Sequence, residues 1–131
     1  MEDRLRVLVV NDDPELLHTR CAVLESFGFF AVAALGVAQA AEMSARETYA
    51  AVLVDATNVS YYHAMQLCTS IKTARSWQKV IVLVTSHHVV SEEDCPDAII
   101  VREHPERMLP HIVAAVRGDV PVDGEMTPED S

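Results

Sequence analysis

Residues able to act on a charged ligand stand at the ends of the chain's most apolar runs. Asn11-Asp12-Asp13 follows Leu5–Val10, and Asp55 follows Ala50–Val54. Thr85-Ser86 follows Val80–Val84, and Arg102-Glu103 follows Ala98–Val101. Two carboxylates, backbone carbonyls and water are the hard oxygen ligands that Mg²⁺ prefers. A cation held there would cancel part of an incoming phosphoryl charge and leave a carboxylate free to attack phosphorus. A hydroxyl and a guanidinium would then hold the phosphoryl oxygens.

These groups converge only if the runs before them lie side by side. Each run is continuously apolar and β-branched, with no polar alternation, as strands buried on both faces are. A weaker run, Phe29–Ala34, follows Gly28 and reads as an edge strand. Helical patterns fill the intervals. Pro14 after Asp13 suits a first helical position, and Leu17, Cys21 and Leu24 recur on one face up to a capping Gly28. Val37, Ala40, Ala41 and Ser44 make a second face, of small residues suited to close packing; Ala64, Leu67, Cys68 and Ile71 make a third. Pro105 opens a last helix with Met108, Leu109, Ile112, Val113 and Val116 as its stripe. Alternating strands and helices predict right-handed crossovers and a doubly wound α/β fold, whose ligand site lies outside the carboxyl ends of the strands. Only 13 residues, Thr85 to Asp97, join the fourth run to the last, so that connection holds a helix of a turn or two, or none.

Composition narrows the classes. The chain has 131 residues, enough for one core, and half of them are hydrophobic. Twenty acids against ten Lys and Arg give a formal charge of −10, which disfavours a nucleic-acid partner. Five of the acids and no base fall after Gly118, among Pro121, Gly124 and Pro128. Residues 1–118 are therefore expected as the folded domain and 119–131 as an acidic disordered tail. No apolar run reaches the ~18 residues a membrane span needs, and the acidic N-terminus reads as no secretory signal. Three unpaired Cys point to reduced thiols in a cytoplasm, with Cys21 and Cys68 as core filler.

The layout resembles the response-regulator receiver domain, the CheY-like phosphoacceptor of two-component signalling. The carrying residues are Leu8-Val9-Val10-Asn11-Asp12-Asp13-Pro14, Val52-Leu53-Val54-Asp55 and Val80-Ile81-Val82-Leu83-Val84-Thr85-Ser86, with Leu24-Glu25-Ser26-Phe27-Gly28-Phe29 closing the first helix. The separations also match, 43 residues from Asp12 to Asp55 and 30 from Asp55 to Thr85. The resemblance covers 5–117 and implies a flavodoxin-like, five-stranded parallel sheet of order 2-1-3-4-5. Carried over, Asp55 is the phosphoacceptor. Mg²⁺ is held by Asp12, Asp55 and the backbone carbonyl of Thr57, with Asn11 acting through water. Thr85 is the switch hydroxyl, and Arg102 touches the phosphoryl group. The implied protein is a signalling phosphoacceptor rather than an enzyme. It is loaded by a histidine kinase or phosphotransfer protein and acts on a protein target or a second copy, with no DNA-binding domain expected after residue 118.

The departures are specific. Asn11 removes one negative charge from the usual acidic pair. Arg102 replaces a lysine with a longer planar fork, and Glu103 replaces a proline normally preceded by a cis bond. Ile99 stands at the switch-aromatic position, Asn58-Val59 replace the usual Met-Pro after the acceptor, and the connection between the fourth and fifth strands is short. These features motivate an alternative: a pseudo-receiver, an interaction or dimerisation module independent of phosphorylation. A flavin-binding or small enzymatic reading lacks a Gly-rich phosphate loop. A zinc reading of His87-His88 with Cys95 fits no standard ligand spacing. His63 and His104, near the same edge, read as exposed loop histidines.

Overall fold

The apolar runs become parallel strands. In the computed structural model the described residues are 4–56, 60–84, 98–101, 112–114 and 116. They form β1 (Arg6–Asn11), α1 (Pro14–Ser26), β2 (Phe30–Leu35), α2 (Val37–Arg46), β3 (Ala51–Asp55), α3 (Tyr61–Ala74), β4 (Val80–Val84) and β5 (Ala98–Val101). The sheet runs β2-β1-β3-β4-β5, so β2 is an edge strand. This is the flavodoxin-like α/β architecture with a parallel sheet. The connection 85–97 and the acidic segment 119–131 lie outside the described residues, and so do Met108 and Leu109.

Two apolar layers cover the sheet, and the two-residue period of the strands assigns each side chain to one of them. Leu8, Val10, Val52, Val54, Val80, Val82 and Val84 pack under α2 and α3, against Ala40, Ala64, Leu67, Cys68 and Ile71. Val7, Val9, Ala51, Leu53, Ile81 and Leu83 pack under α1, against Leu17 and Leu24. Ile112 and Val116, from the helical residues 112–114 and 116, join this second layer. Every residue of β3 and β4 is buried, which explains why these runs carry no polar alternation.

Local signals set the helix ends. Asp13 is the N-cap of α1, its side chain accepting from the Glu15 backbone N–H, and Pro14 follows at the first turn. At the other end Gly28 takes φ +95 and donates to the Glu25 carbonyl, while Phe29 N–H donates to Leu24. That pair of bonds is a Schellman closure, which needs a left-handed residue at this position. The Gln78 carboxamide is buried and pairs with both backbone polar groups of Tyr49, accepting at 3.1 Å and donating at 2.8 Å. Arg75 fans over the carboxyl end of α2, donating to the carbonyls of Ser44, Ala45 and Glu47.

One expectation is corrected. Cys21 is a free, half-buried thiol, but Cys68, expected as reduced core filler, is disulfide-bonded. Bridging depends on whether two sulfurs come within reach in space, which sequence spacing does not report.

Candidate functional site

Strand register brings Asn11 level with Asp55. Val10 pairs with Val54 across β1 and β3, so the next residue of each strand stands at the same height on the carboxyl edge. Both continue the odd-numbered parity of Val7, Val9, Ala51 and Leu53, the layer covered by α1. Asn11 and Asp55 are each 0% exposed. The Asn11 Nδ2 donates to Asp55 Oδ2 at 2.7 Å, and Asn11 Oδ1 accepts the Asp13 backbone N–H at 2.7 Å. The two bonds fix the amide orientation, because a flipped amide would set oxygen against carboxylate and N–H against N–H.

The second partner of Asp55 comes from α1. Arg20 Nε donates to the same Oδ2 at 2.8 Å, forming an ion pair whose arginine side chain is 12% exposed and whose aspartate is fully buried. The guanidinium sets a fixed positive charge against this buried oxygen. Arg20 Nη2 is buried and has no hydrogen-bond partner among the described residues. Arg20 lies three residues after Leu17 and four before Leu24, on the inward stripe of α1. Sequence reasoning passed over it by tracing that stripe through Cys21. The available signal was a basic residue at the i+3 position of an otherwise apolar face.

Asp12 stands differently. It is exposed, one residue past the buried strand, and its carboxylate lies over Gly36 at the start of α2. Gly36 has φ +92, and a Cβ built there would sit 3.2 Å from Asp12 Oδ1. The Gly36 backbone also donates to the Asn11 carbonyl at 3.0 Å, tying the β2–α2 turn to the end of β1.

Of the residues expected to form the site, Asn11 and Asp55 are in direct contact and Asp12 adjoins them. Thr57, Thr85 and Arg102 lie outside the described residues. So do His87, His88, Cys95 and His104. Ile99 pairs through its backbone with Val82, and its side chain lies outside the described set. His63 is exposed, its ring 2.9 Å from the Ser60 hydroxyl.

As folded, the described donor set does not fit the expected Mg²⁺. That ion asks for about six oxygens in near-octahedral array. Among the described residues no three His, Cys, Asp or Glu side chains are grouped to hold a metal. Asn11 aims a hydrogen-bearing nitrogen at the Asp55 carboxylate, whose Oδ2 already takes two N–H donors, one of them cationic. Arg20 sets a fixed positive charge against the Asp55 oxygen that a dication would share.

No protein-family model and no curated protein matches the sequence. Solved structures do match the fold. The response regulator TrrA from Thermotoga maritima, in complex with Mg²⁺–BeF, is similar over 86% of this chain and 98% of its own, with TM-score 0.73 and 20% identity. The receiver domain of a Pseudomonas aeruginosa sensor histidine kinase, with magnesium coordinated in its active-site cleft, is similar over 89% and 100%, with TM-score 0.73 and 19% identity. A CheY-like receiver domain protein from Methanospirillum hungatei is similar over 88% and 96%, with TM-score 0.73 and 21% identity. From β1 through β5 this chain has the fold of the CheY-like response-regulator receiver domains.

Proposed function

We propose that the protein is a phosphoacceptor receiver of a two-component phosphorelay, with Asp55 as the acceptor. The observation that carries this reading is the fully buried Asp55 carboxylate at the end of the central strand, held at one oxygen by Asn11 and Arg20. The two donors on Oδ2 fix the orientation of the carboxylate at the end of the strand. In the transfer, a carboxylate oxygen attacks phosphorus. The phosphorus–nitrogen bond to the donor histidine breaks, and its electron pair stays on the imidazole. The product is an aspartyl phosphate, so the chain is a signalling acceptor and not an enzyme acting on free metabolites.

The roles of Thr85 as switch hydroxyl and of Arg102 as phosphoryl contact belong to this reading. So do a receiver unit spanning 1–118 and Ile99 in place of a switch aromatic. The donor is a histidine kinase or phosphotransfer protein, and output passes by contact with a protein target or a second copy. A cytoplasmic setting follows from such partners; among the described residues no helix is long and apolar enough to cross a membrane.

Intact-mass spectrometry after incubation with acetyl phosphate tests the assignment. The wild type is expected to gain about 80 Da, one phosphoryl group, and Asp55→Asn to gain nothing. Equal gain in both proteins, or none in the wild type, overturns it.

A further inference from the structure

Resting on the acceptor reading of Asp55, we infer that Arg20 takes the place of the divalent cation at this carboxylate. The phosphoryl site of this chain then works without metal.

The placement of charge supports this first. Arg20 Nε lies 2.8 Å from Asp55 Oδ2, in a pair that is nearly or wholly buried, and a dication added beside that oxygen would face a fixed guanidinium. Arg20 is anchored on the inward stripe of α1, between Leu17 and Leu24, so the cation is part of the packed layer rather than a loop visitor. The neutral Asn11 points the same way. It lowers the negative charge that would recruit Mg²⁺, and it contributes a hydrogen-bond donor where an acid would contribute a ligand.

The free valence of the guanidinium supplies the chemistry. Nε is used on the carboxylate, while Nη2 is buried without a partner among the described residues. A buried N–H group left unpaired is costly, and a tetrahedral phosphoryl group brings acceptor oxygens to satisfy it. When the Asp55 oxygen bonds to phosphorus, the donor's leaving group departs with its electron pair. The negative charge of the site then passes from the carboxylate to the phosphoryl oxygens. The planar fork of Arg20 can follow that charge with an N–H of Nη2 while Nε stays on the carboxylate, whereas a lysine has a single nitrogen to share between the two.

The test compares wild type, Arg20→Gln and Arg20→Lys in excess EDTA and in 10 mM MgCl₂, read by intact mass after acetyl phosphate. The wild type is expected to load within about two-fold equally in both conditions. Arg20→Gln should lose at least about ten-fold in EDTA and recover with Mg²⁺, while Arg20→Lys keeps measurable loading in EDTA. Wild-type loading that requires Mg²⁺, or Arg20→Gln loading undiminished in EDTA, overturns the inference. A second measurement needs no phosphoryl transfer: thermal unfolding against MgCl₂, with NaCl matched for ionic strength. Mg²⁺ should leave the wild-type Tm unmoved and raise that of Arg20→Gln. A Mg²⁺ response in the wild type, or none in a folded Arg20→Gln, overturns the inference. Absence of loading in every protein and condition would instead overturn the acceptor reading and leave the melting arm to decide the role of Arg20.

Discussion

Asn11 gives its amide nitrogen to Asp55 and its oxygen to the Asp13 backbone, so one side chain joins the buried Asp55 carboxylate to the first turn of α1. Asn11→Asp replaces the 2.7 Å donor by a like charge in a fully buried position. A cost of about 2–4 kcal/mol at neutral pH is expected. The sign in pH follows from linkage. The folded variant holds a proton between the two carboxyls to higher pH than the unfolded chain does. Its stability relative to wild type is therefore greatest at acid pH and falls as pH rises through the carboxyl range. Urea unfolding of both proteins at pH 5 and pH 8 measures it, and a difference that is flat in pH would contradict it.

Gly28 and Gly36 share a left-handed backbone but not a neighbourhood. A Cβ at Gly28 meets nothing within 4 Å, whereas at Gly36 it meets Asp12 Oδ1 at 3.2 Å. Both alanine variants are expected to lose about 1 kcal/mol to the positive φ. Only Gly36→Ala should also displace Asp12, so it is expected to lose more stability than Gly28→Ala, which thermal unfolding of the two variants side by side measures.

Gln78 acts as a piece of backbone. Its carboxamide completes both polar groups of Tyr49 inside the fold, and Gln78→Leu would leave a buried N–H and a buried C=O unsatisfied. A loss of about 2–6 kcal/mol is expected, from roughly 1–3 kcal/mol for each of the two orphaned groups. Denaturant unfolding gives the number, and loading of Asp55 at low temperature should be unaffected.

Cys21 sits beside Arg20 on α1, and burial pushes its thiol up, with the nearby Glu25 carboxylate adding to the effect. The folded chain therefore keeps this proton to higher pH than the unfolded chain. Stability falls as pH rises above the ordinary thiol value of about 8.5, and the drop is absent in Cys21→Ala. Iodoacetamide should also modify Cys21 in the folded protein more slowly at pH 8 than in the protein unfolded in urea.

Much of the fold was written in local pattern. The strands at Val80–Val84 and Ala98–Val101 appear with the bounds their apolar runs imply, and the other three are displaced by a single residue toward the carboxyl end. That displacement has a cause: pairing with a neighbour carries Asn11, Leu35 and Asp55 into the ladder although two of them are polar. Asp13-Pro14 and Gly28 bound α1 as their conformational preferences require, and Ala64, Leu67, Cys68 and Ile71 form the buried face of α3. In each case the governing interaction spans only a few residues, or depends only on apolar character.

That Asn11 and Asp55 lie at the carboxyl ends of buried strands, with Asp12 next in the chain, was legible from the apolar runs before them. Arg20 was not. An arginine on a helical stripe is equally compatible with solvent, and its burial depends on a carboxylate 35 residues away that only strand register brings beneath α1. Tyr49 and Gln78, 29 residues apart, are the same case in the backbone. Residue order sets which segments are apolar, where helices begin and where a strand-end acid must lie. Which polar groups meet is settled by packing, because the desolvation cost of each is offset only by a partner that the folded sheet and its covering helices bring within hydrogen-bond distance.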